Sequence, residues 1–175
     1  MRVRGNQPHM AQVVIALGSN EGDRLGMLRS GLQSCLNLCE PASRDALLKS
    51  SVYESDPIGP ADTPFLNAVV AFSCRLQPEP LLSALKKSEA EQGRNFRAQR
   101  WSNRPLDLDI ISYDNLLLGT PQLSLPHLHC HERAFVLQPL CEILPAWRHP
   151  RLNQTAAELL ERAPKMQVYK TALMW

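Results

Sequence analysis

The stretch Val13-Val14-Ile15-Ala16-Leu17-Gly18-Ser19-Asn20 decides how the chain begins to fold. Its first five residues are a continuous apolar run that stops at Gly18, which is typical of a β-strand covered on both faces. Asn20, with Asp23 three residues later, is typical of a helix N-cap. Apolar residues then recur at helical spacing up to Pro41. The chain therefore opens with a strand followed by an amphipathic helix.

Downstream, the same kinds of pattern predict two strands, a helix and a fourth strand, at residues 47–53, 66–76, 78–93 and 106–113. The resulting order, β-α-β-β-α-β, predicts an α+β fold, a ferredoxin-like sandwich with a mainly antiparallel sheet. We expect the helices to pack on one face of the sheet and to leave the other face to loops. Residues 132–140 and 155–162 are predicted to form extra short C-terminal helices.

The composition is that of a globular protein. Among 175 residues, 44% are hydrophobic and 21% charged, and 19 basic against 17 acidic residues leave a net charge of +2. This balance disfavours a protein dedicated to nucleic acid or to membrane surfaces. We interpret residues 1–11 as a leader or expression remnant and residues 12–175 as a single domain. Five cysteines without repeated ligand spacing favour reduced thiols and a cytoplasmic location.

Asp107 and Asp109 are the strongest chemical signal in the sequence. Residues two apart on a strand point to the same face, with Cα atoms about 7 Å apart, so both carboxylates can converge on hard cations. A pair of magnesium ions held in this way can clamp a phosphoryl group during transfer. The alternative is that both side chains are ordinary solvated carboxylates, the usual state of aspartate.

Four arginines precede this pair with no acidic residue among them: Arg94, Arg97, Arg100 and Arg104. Guanidinium groups bind phosphate oxygens bidentately, and arginines beside metal ions suit phosphoryl transfer. By itself the run would also fit a solvated basic loop or a nucleic-acid patch, but the adjacent carboxylates favour phosphate. Trp101, inside the run, is suited either to stacking on a planar ring or to anchoring the core.

The stretch Pro126-His127-Leu128-His129-Cys130-His131 concentrates three histidines and a cysteine. Alternating ligands in a short loop after a proline match no common zinc signature, so a zinc site is the less favoured interpretation. We expect a single histidine, His127, to face phosphate, and a surface imidazole is the plain alternative.

Taken together, these motifs resemble the 6-hydroxymethyl-7,8-dihydropterin pyrophosphokinases of folate biosynthesis. The matching segments run in family order from about Val13 to Ile143, and the ordered set is far more specific than any one motif. They are ALGSN at 16–20, SVY at 51–53 with PIG at 57–59, PFLNAV at 64–69, QGR at 92–94, RW at 100–101 with RPLDLDI at 104–110, and LPH at 125–127 with RAFVL at 133–137.

The resemblance implies that diphosphate is transferred from ATP, the co-substrate, to the hydroxymethyl group of the pterin, with release of AMP. It implies two Mg²⁺ ions bound by Asp107 and Asp109, and catalytic roles for these carboxylates and for Arg94 and Arg104. The domain expected at 12–175 would then be the pyrophosphokinase. Its expected partners are these small molecules, without nucleic acid or membrane, and the chain is expected to be a monomer.

The resemblance also implies the binding residues. Those implied for the pterin are Ser55, Asp56, Ile58, Phe65, Asn67, Trp101 and Phe135. Those implied for ATP are Arg94, Trp101, Arg104, Ile110, Ser124, His127 and Arg133. Among them, the amide of Asn67 would read the polar edge of a pterin ring held between Phe65 and Phe135, and Trp101 would close over the site. Glu89 matches an acidic position on the second helix of the family.

The sequence departs from the family at four places, one of them the loop from Pro60 to Phe65, which is one residue short. Ser102-Asn103 stands where Gly-Pro is common, Phe65 where tyrosine is frequent, and Gln122 near a position that is basic in some members. Two other interpretations are an RNA- or nucleotide-binding module of the same fold and a catalytically dead homologue. The near-neutral charge disfavours the first, and the intact motif residues disfavour the second.

Overall fold

The protein is described by a computed structural model that covers residues 10–99 and 102–175. Its elements in chain order are β1 (Ala11–Ser19), α1 (Arg24–Leu38), β2 (Leu48–Lys49), β3 (Tyr53–Ser55), β4 (Phe65–Cys74), α2 (Pro78–Glu91), β5 (Asp107–Tyr113), β6 (Leu118–Gly119), β7 (Ser124–Leu125), α3 (Ala134–Ile143), α4 (Ala156–Arg162) and β8 (Val168–Lys170). The first strand thus starts at Ala11, one residue before the expected domain boundary.

The main sheet has the strand order β5-β1-β4-β3-β8, with β2 also paired to β4, and all of its pairings are antiparallel. The first four positions of this order are those of a ferredoxin-like sandwich, so the expected fold is confirmed. The two central strands read as nearly continuous apolar runs because both of their faces are covered.

The second predicted strand, 47–53, is divided into β2 and β3. At the break, the Ser50 N–H donates to the Val69 carbonyl at 2.9 Å, and the Ser50 hydroxyl accepts from the Val69 N–H at 3.0 Å. A side-chain oxygen therefore replaces one main-chain partner of the ladder. The chain changes its path here, which one apolar pattern could not reveal.

Helices cover both faces of the sheet, which corrects the expectation that one face is left to loops. Side chains such as Leu17 and Leu108 pack against α1 and α2 on one face. Val69 and Ile111 pack against α3 and α4 on the other, with Leu137 at the centre of that second cluster. The strongly apolar α3 needs a covering surface, and the sheet supplies it.

Helix α1 is capped by Asp23 and not by Asn20. The Asp23 carboxylate accepts from the Gly26 N–H at 3.0 Å, while Gly22, with φ of +64°, turns the chain between the strand and the cap. Farther along α1, Gly31 permits close packing on the sheet, because a Cβ there would lie 2.8 Å from Leu17. The Asn20 side chain instead bonds the main chain of Arg104.

The last strand, β8, lies in the part of the sequence without a recognised motif. Its residue Val168 pairs with Ser55, so that the segment before β8 lies close to the end of β3. Within residues 10–99 and 102–175, none of the helices combines the length and the apolar character that crossing a membrane requires.

Candidate active site

Two adjoining cavities open at the end of the sheet where β1 and β5 meet. The larger, of about 540 Å³, is mostly apolar and is lined by residues of β1, β3, β4 and α3. The smaller, of about 440 Å³, is mostly polar and is lined by α2 and the loop before β5. We call them the apolar cavity and the charged cavity. Their shared wall consists of Arg104, Asp107, Asp109 and Arg133.

One row of paired residues across the sheet places both sides of this site. Gly18 on β1 pairs with Asn67 on β4 and with Asp107 on β5. Paired residues direct their side chains to the same face, so an amide and a carboxylate flank a position that has no side chain. A Cβ at Gly18 would lie between 3.6 and 3.8 Å from Phe65, Asp107 and Asn67, and would fill the gap between them.

The apolar cavity is built around the amide of Asn67. This side chain is only 4% exposed, and its nitrogen donates to the Ser55 hydroxyl at 2.9 Å. The bond joins β4 to β3 and fixes the orientation of the amide. Phe65 from β4 and Phe135 from α3 supply two aromatic walls of this cavity. A flat heterocycle with a polar edge suits this arrangement.

The carboxylate of Asp107 is already neutralised by arginines. It accepts a hydrogen bond from Arg94 and pairs with Arg104 at 2.9 Å. Burial alone would raise the pKa of Asp107, but the guanidinium groups of Arg104 and Arg94 outweigh it and hold that pKa below its usual range. Asp107 is therefore an ionised carboxylate in a strongly positive setting.

Asp109, two residues farther along β5, is surrounded less tightly. Three cationic or donor groups lie at 3.9 to 4.0 Å from its oxygens: Lys86 Nζ, His127 Nε2 and an Arg133 guanidinium nitrogen. These distances are too long for direct hydrogen bonds. With 30% of its side chain exposed, Asp109 keeps oxygen lone pairs available for a ligand.

Glu89 holds the strand that carries both aspartates. Its buried carboxylate accepts from the Leu108 N–H at 2.6 Å and from Lys86 at 2.8 Å, and lies 3.3 Å from Arg94. Burial raises the pKa of Glu89, and the positive charge of Lys86 partly offsets that effect. Because β5 is an edge strand, the Leu108 N–H has no partner strand on that side, and Glu89 supplies the missing acceptor.

His127 is anchored so that one ring nitrogen faces Asp109. Its N–H donates to the Ile111 carbonyl at 2.9 Å, and its Nδ1 accepts from the His129 N–H at 3.2 Å. A neutral imidazole with an accepting Nδ1 carries its proton on Nε2. Burial lowers the pKa of His127, with the Asp109 carboxylate opposing this change, so that the ring presents a neutral Nε2–H donor.

Arginine side chains join the two cavities. The Arg104 guanidinium lies 5.0 Å from the centre of the Phe65 ring, and that of Arg133 lies 5.7 Å from the centre of Phe135. Both distances fit cation–π contacts. Each aromatic wall of the apolar cavity is thus linked to a group that also lines the charged cavity.

Comparison with known proteins identifies the family. A family model described as 7,8-dihydro-6-hydroxymethylpterin-pyrophosphokinase matches residues 14–145. The chain is 43% identical over 155 residues to the 2-amino-4-hydroxy-6-hydroxymethyldihydropteridine pyrophosphokinase of Pseudomonas aeruginosa, covering 87% of this chain and 92% of that relative. It is 43% identical over 130 residues to the Bacillus subtilis enzyme of the same name, covering 74% of this chain and 75% of the relative.

The chain belongs to the 7,8-dihydro-6-hydroxymethylpterin-pyrophosphokinase family. The resemblance seen in the sequence is thereby confirmed. A solved structure of wild-type Plasmodium falciparum HPPK-DHPS supports the fold alone, with a TM-score of 0.66 at 13% identity; the match covers 90% of this chain and 45% of that longer one.

For this pyrophosphokinase-family chain, the structure gathers most of the expected site residues. The apolar cavity includes Ser55, Asp56, Ile58, Phe65, Asn67 and Phe135, and the charged cavity includes Arg94 and His127. In the cavities formed by the described residues, Ile110 and Ser124 do not take part. Ile110 is packed in the core below α1 and α2, and the Ser124 hydroxyl donates to the Pro126 carbonyl at 3.4 Å. Arg100 and Trp101 lie outside the described residues.

Several residues at the pyrophosphokinase site escaped the sequence analysis. Lys86 lines the charged cavity, and its position one helical turn before Glu89 was an available signal. Met166 and Pro164, from the segment before β8, line the apolar cavity. No pattern marks these two residues, because the register of β8 against β3 puts them there. The sequence pattern predicts a helix cap at Asn20, whereas the Asn20 side chain accepts from the Arg104 N–H in the loop before β5.

Proposed function

We propose that the two cavities carry out the two halves of one reaction. As a member of its family, the chain transfers diphosphate from ATP to the hydroxymethyl group of 6-hydroxymethyl-7,8-dihydropterin and releases AMP, a step of folate biosynthesis. The observation that supports this division most directly is the row formed by Asn67, Gly18 and Asp107, which puts a ring-reading amide beside a charged wall.

The apolar cavity binds the pterin in this proposal. The ring lies between Phe65 and Phe135, and the amide of Asn67 bonds its polar edge, because an amide both donates and accepts. Ser55 fixes the rotation of that amide, and residues Asp56 and Ile58 complete the pocket beside it. The acceptor hydroxyl then points toward the shared wall.

Asp107 and Asp109 hold two Mg²⁺ ions in the proposed complex. The residues present fit such ions, because both carboxylates lie on one face of β5 and offer hard oxygen donors. Among the described residues there is no group of three or more His, Cys, Asp or Glu side chains that could hold a metal ion. Phosphate oxygens and water would be the other ligands, as magnesium prefers. When bound, the ions supply neutralisation of phosphate charge.

The charged side chains of the site bind ATP. Arg94, Arg104 and Arg133 bind phosphate oxygens in the proposal, and the Nε2–H of His127 donates to another. Ile110 and Ser124 retain proposed roles through their main-chain groups, since their side chains are engaged elsewhere. Trp101 retains its proposed role over the site.

The proposed chemistry is an in-line attack of the pterin hydroxyl on the β-phosphorus, which breaks the bond from that phosphorus to the oxygen that leaves with AMP, while the hydroxyl proton passes to solvent. The γ-phosphate travels with the β-phosphate. The lowered pKa of Asp107 makes it a poor base, and His127 presents a proton on the nitrogen that faces Asp109. Positioning and charge stabilisation therefore account for catalysis, as a loose transition state permits.

We further propose that the enzyme works as a cytoplasmic monomer on small molecules, without nucleic-acid or membrane partners. All five cysteines are free thiols, which supports a reducing compartment. The near balance of acidic and basic residues supports small-molecule partners over polyanions. Size-exclusion chromatography with light scattering tests the oligomeric state.

The reaction is tested by incubating the chain with Mg-ATP and the hydroxymethyl dihydropterin, and separating AMP, ADP and ATP by chromatography. We expect AMP in an amount equal to the pyrophosphorylated pterin, and none when pterin is omitted. Folded protein that forms no AMP, or that forms ADP instead, would refute the proposal. Addition of EDTA should stop AMP formation.

A further inference from the structure

The loop that carries Arg104 is fastened to two other segments by a single amide. The Asn103 side-chain oxygen accepts from the Asn20 amide at 2.7 Å, and the Asn103 side-chain nitrogen donates to the Asp62 carboxylate at 2.7 Å. The Asp62 N–H also points to the Asn103 oxygen at 3.4 Å. One side chain thus joins the end of β1, the loop between β3 and β4, and the loop before β5.

Asn20 extends this connection to the main chain of Arg104. Its side-chain oxygen accepts from the Arg104 N–H at 2.8 Å, and its own N–H donates to the Arg104 carbonyl at 3.2 Å. Asn20 is 1% exposed, and its side-chain nitrogen also donates to the Thr63 carbonyl at 3.1 Å. Both polar main-chain groups of Arg104 are therefore held by one buried residue.

The position of this main chain determines where the Arg104 guanidinium lies. The guanidinium bridges the Asp107 carboxylate at 2.9 Å and the Phe65 ring at 5.0 Å, so it belongs to the shared wall of both cavities. A shift of the backbone by one ångström would move it away from one of these partners. Displacements of that size can change rates by about 100-fold when they misplace a reacting group.

We propose that Asn103 is a positioning residue for Arg104, acting together with Asn20 and Asp62 as an amide relay. The inference rests on the proposed function, since it assigns the relay to the phosphate side of that reaction. Asn103 lines the charged cavity, but both polar atoms of its side chain are already engaged, by Asn20 and by Asp62.

The relay predicts an effect on kcat and on the ATP side of the reaction more than on pterin binding. The walls that surround the pterin do not depend on Asn103, whereas the approach of Arg104 to the phosphates does. For Asn103→Ala we expect kcat to fall about tenfold. KM for the pterin should change by less than about threefold, because Asn67, Ser55 and the aromatic walls of the apolar cavity are untouched, whereas KM for ATP should rise with the displacement of Arg104.

Exchange of the amide and the carboxylate between Asn103 and Asp62 distinguishes a positioning role from a general loss of stability. Asn103→Asp keeps an oxygen that accepts from Asn20 but sets a second carboxylate against Asp62, so kcat should fall at least as far as in Asn103→Ala. Asp62→Asn alone should be mild, because an amide oxygen still accepts from Asn103. In the double variant, Asn103→Asp with Asp62→Asn, the amide at position 62 donates to the carboxylate at position 103, which is the wild-type bond in the reverse direction. Its kcat should return to within about twofold of wild type.

The assay measures kcat, both KM values and the melting temperature for each variant. Asn37→Asp, the same exchange at an exposed site on α1, is the matched control and should leave all four values unchanged. Recovery of kcat in the double variant at equal melting temperatures supports the relay. Undiminished kcat in Asn103→Asp, failed recovery, or a fall in kcat that follows the melting temperature overturns it. An inactive wild-type chain would overturn the proposed function as well, whereas an active wild type with active Asn103→Asp overturns the relay alone.

Discussion

The two cavities differ in how their key side chains are held. In the apolar cavity, Asn67 and Ser55 sit on neighbouring strands and are bonded to each other. In the charged cavity, Asp107 and Asp109 sit on an edge strand, while their partners are long side chains from α2 and from loops. The sheet itself thus holds the amide proposed to bind the pterin, whereas the groups proposed to bind phosphate are ion pairs that can exchange one partner for another.

This contrast predicts that removal of a carboxylate from the charged cavity lowers the reaction rate but not the stability of the protein. For Asp109→Ala we expect kcat to fall by about 10³-fold or more, since a group that acts on the developing charge is removed. The melting temperature should hold, because Asp109 has no close hydrogen bond to lose and no core cavity is opened. Asp45→Ala, an exposed aspartate in the 3-10 turn after α1, is the control for charge. An undiminished rate would contradict the metal assignment.

In the apolar cavity, a substitution should weaken substrate binding first. For Asn67→Ala we expect pterin affinity to fall between about 10- and 100-fold, because polar atoms of a buried ring edge lose their partners. Binding of a nonhydrolysable ATP analogue should be retained. Isothermal titration measures both ligands, and loss of the ATP analogue with retention of pterin would contradict this map of the pocket.

The strand that supports the apolar cavity is braced by Glu142 of α3. This carboxylate accepts from the Ser51 N–H at 3.1 Å and hydroxyl at 2.8 Å, from the Tyr53 hydroxyl at 3.0 Å and from Lys170 at 3.0 Å. Burial opposes its ionisation, but these donors together hold the pKa of Glu142 below its usual range. Glu142→Gln should lower the free energy of unfolding at pH 7 by about 1 kcal/mol.

The sign of the pH dependence follows from that lowered pKa. The wild-type advantage is complete above the unfolded pKa of about 4.3 and disappears as pH falls through the lower folded value. Thermal unfolding of both proteins between pH 7 and 3 should show a gap that closes below about pH 4. A gap of constant size would mean that the ionised carboxylate is not the stabilising form.

The smallest expected effect concerns Met166, which lines the apolar cavity from outside the matched family region. Met166→Ala should raise KM for the pterin by about threefold, because part of an apolar wall is removed, and leave KM for ATP unchanged. Met166→Leu should restore the wild-type value, and Lys165→Ala, exposed beside it, should have no effect. Equal changes for both substrates would place Met166 outside the pterin wall.

Period-two spacing and family motifs predicted the strand-borne residues well. Asp107, Asp109 and Asn67 could be placed because side-chain direction on a strand follows from sequence position alone. The cap of α1 was wrong because Gly22 inserts a turn that the capping pattern does not encode. The opposite sheet face, covered by α3 and α4, could not be predicted, since an apolar helix does not specify which surface it covers.

Contacts made by the main chain were the hardest to predict. Strand β8 is joined to β3 by backbone pairing, which requires no particular side chains, so Met166 left no trace in the sequence. The relay through Asn103 depends on three loops meeting, and none of the three signals the others. Long-range partners of loop residues emerge only when the sheet has brought the loops together.

The glycine at the centre of the row has a further consequence for substrate choice. Asn67 and Asp107 stand two strand spacings apart, a span of about 10 Å fixed by main-chain hydrogen bonds. If the pterin and ATP bind as proposed, the sheet sets the distance between the ring and the phosphates. We expect an acceptor whose alcohol lies one methylene farther from its ring to occupy the apolar cavity but to react more slowly, because its oxygen would no longer lie at the distance set by the sheet.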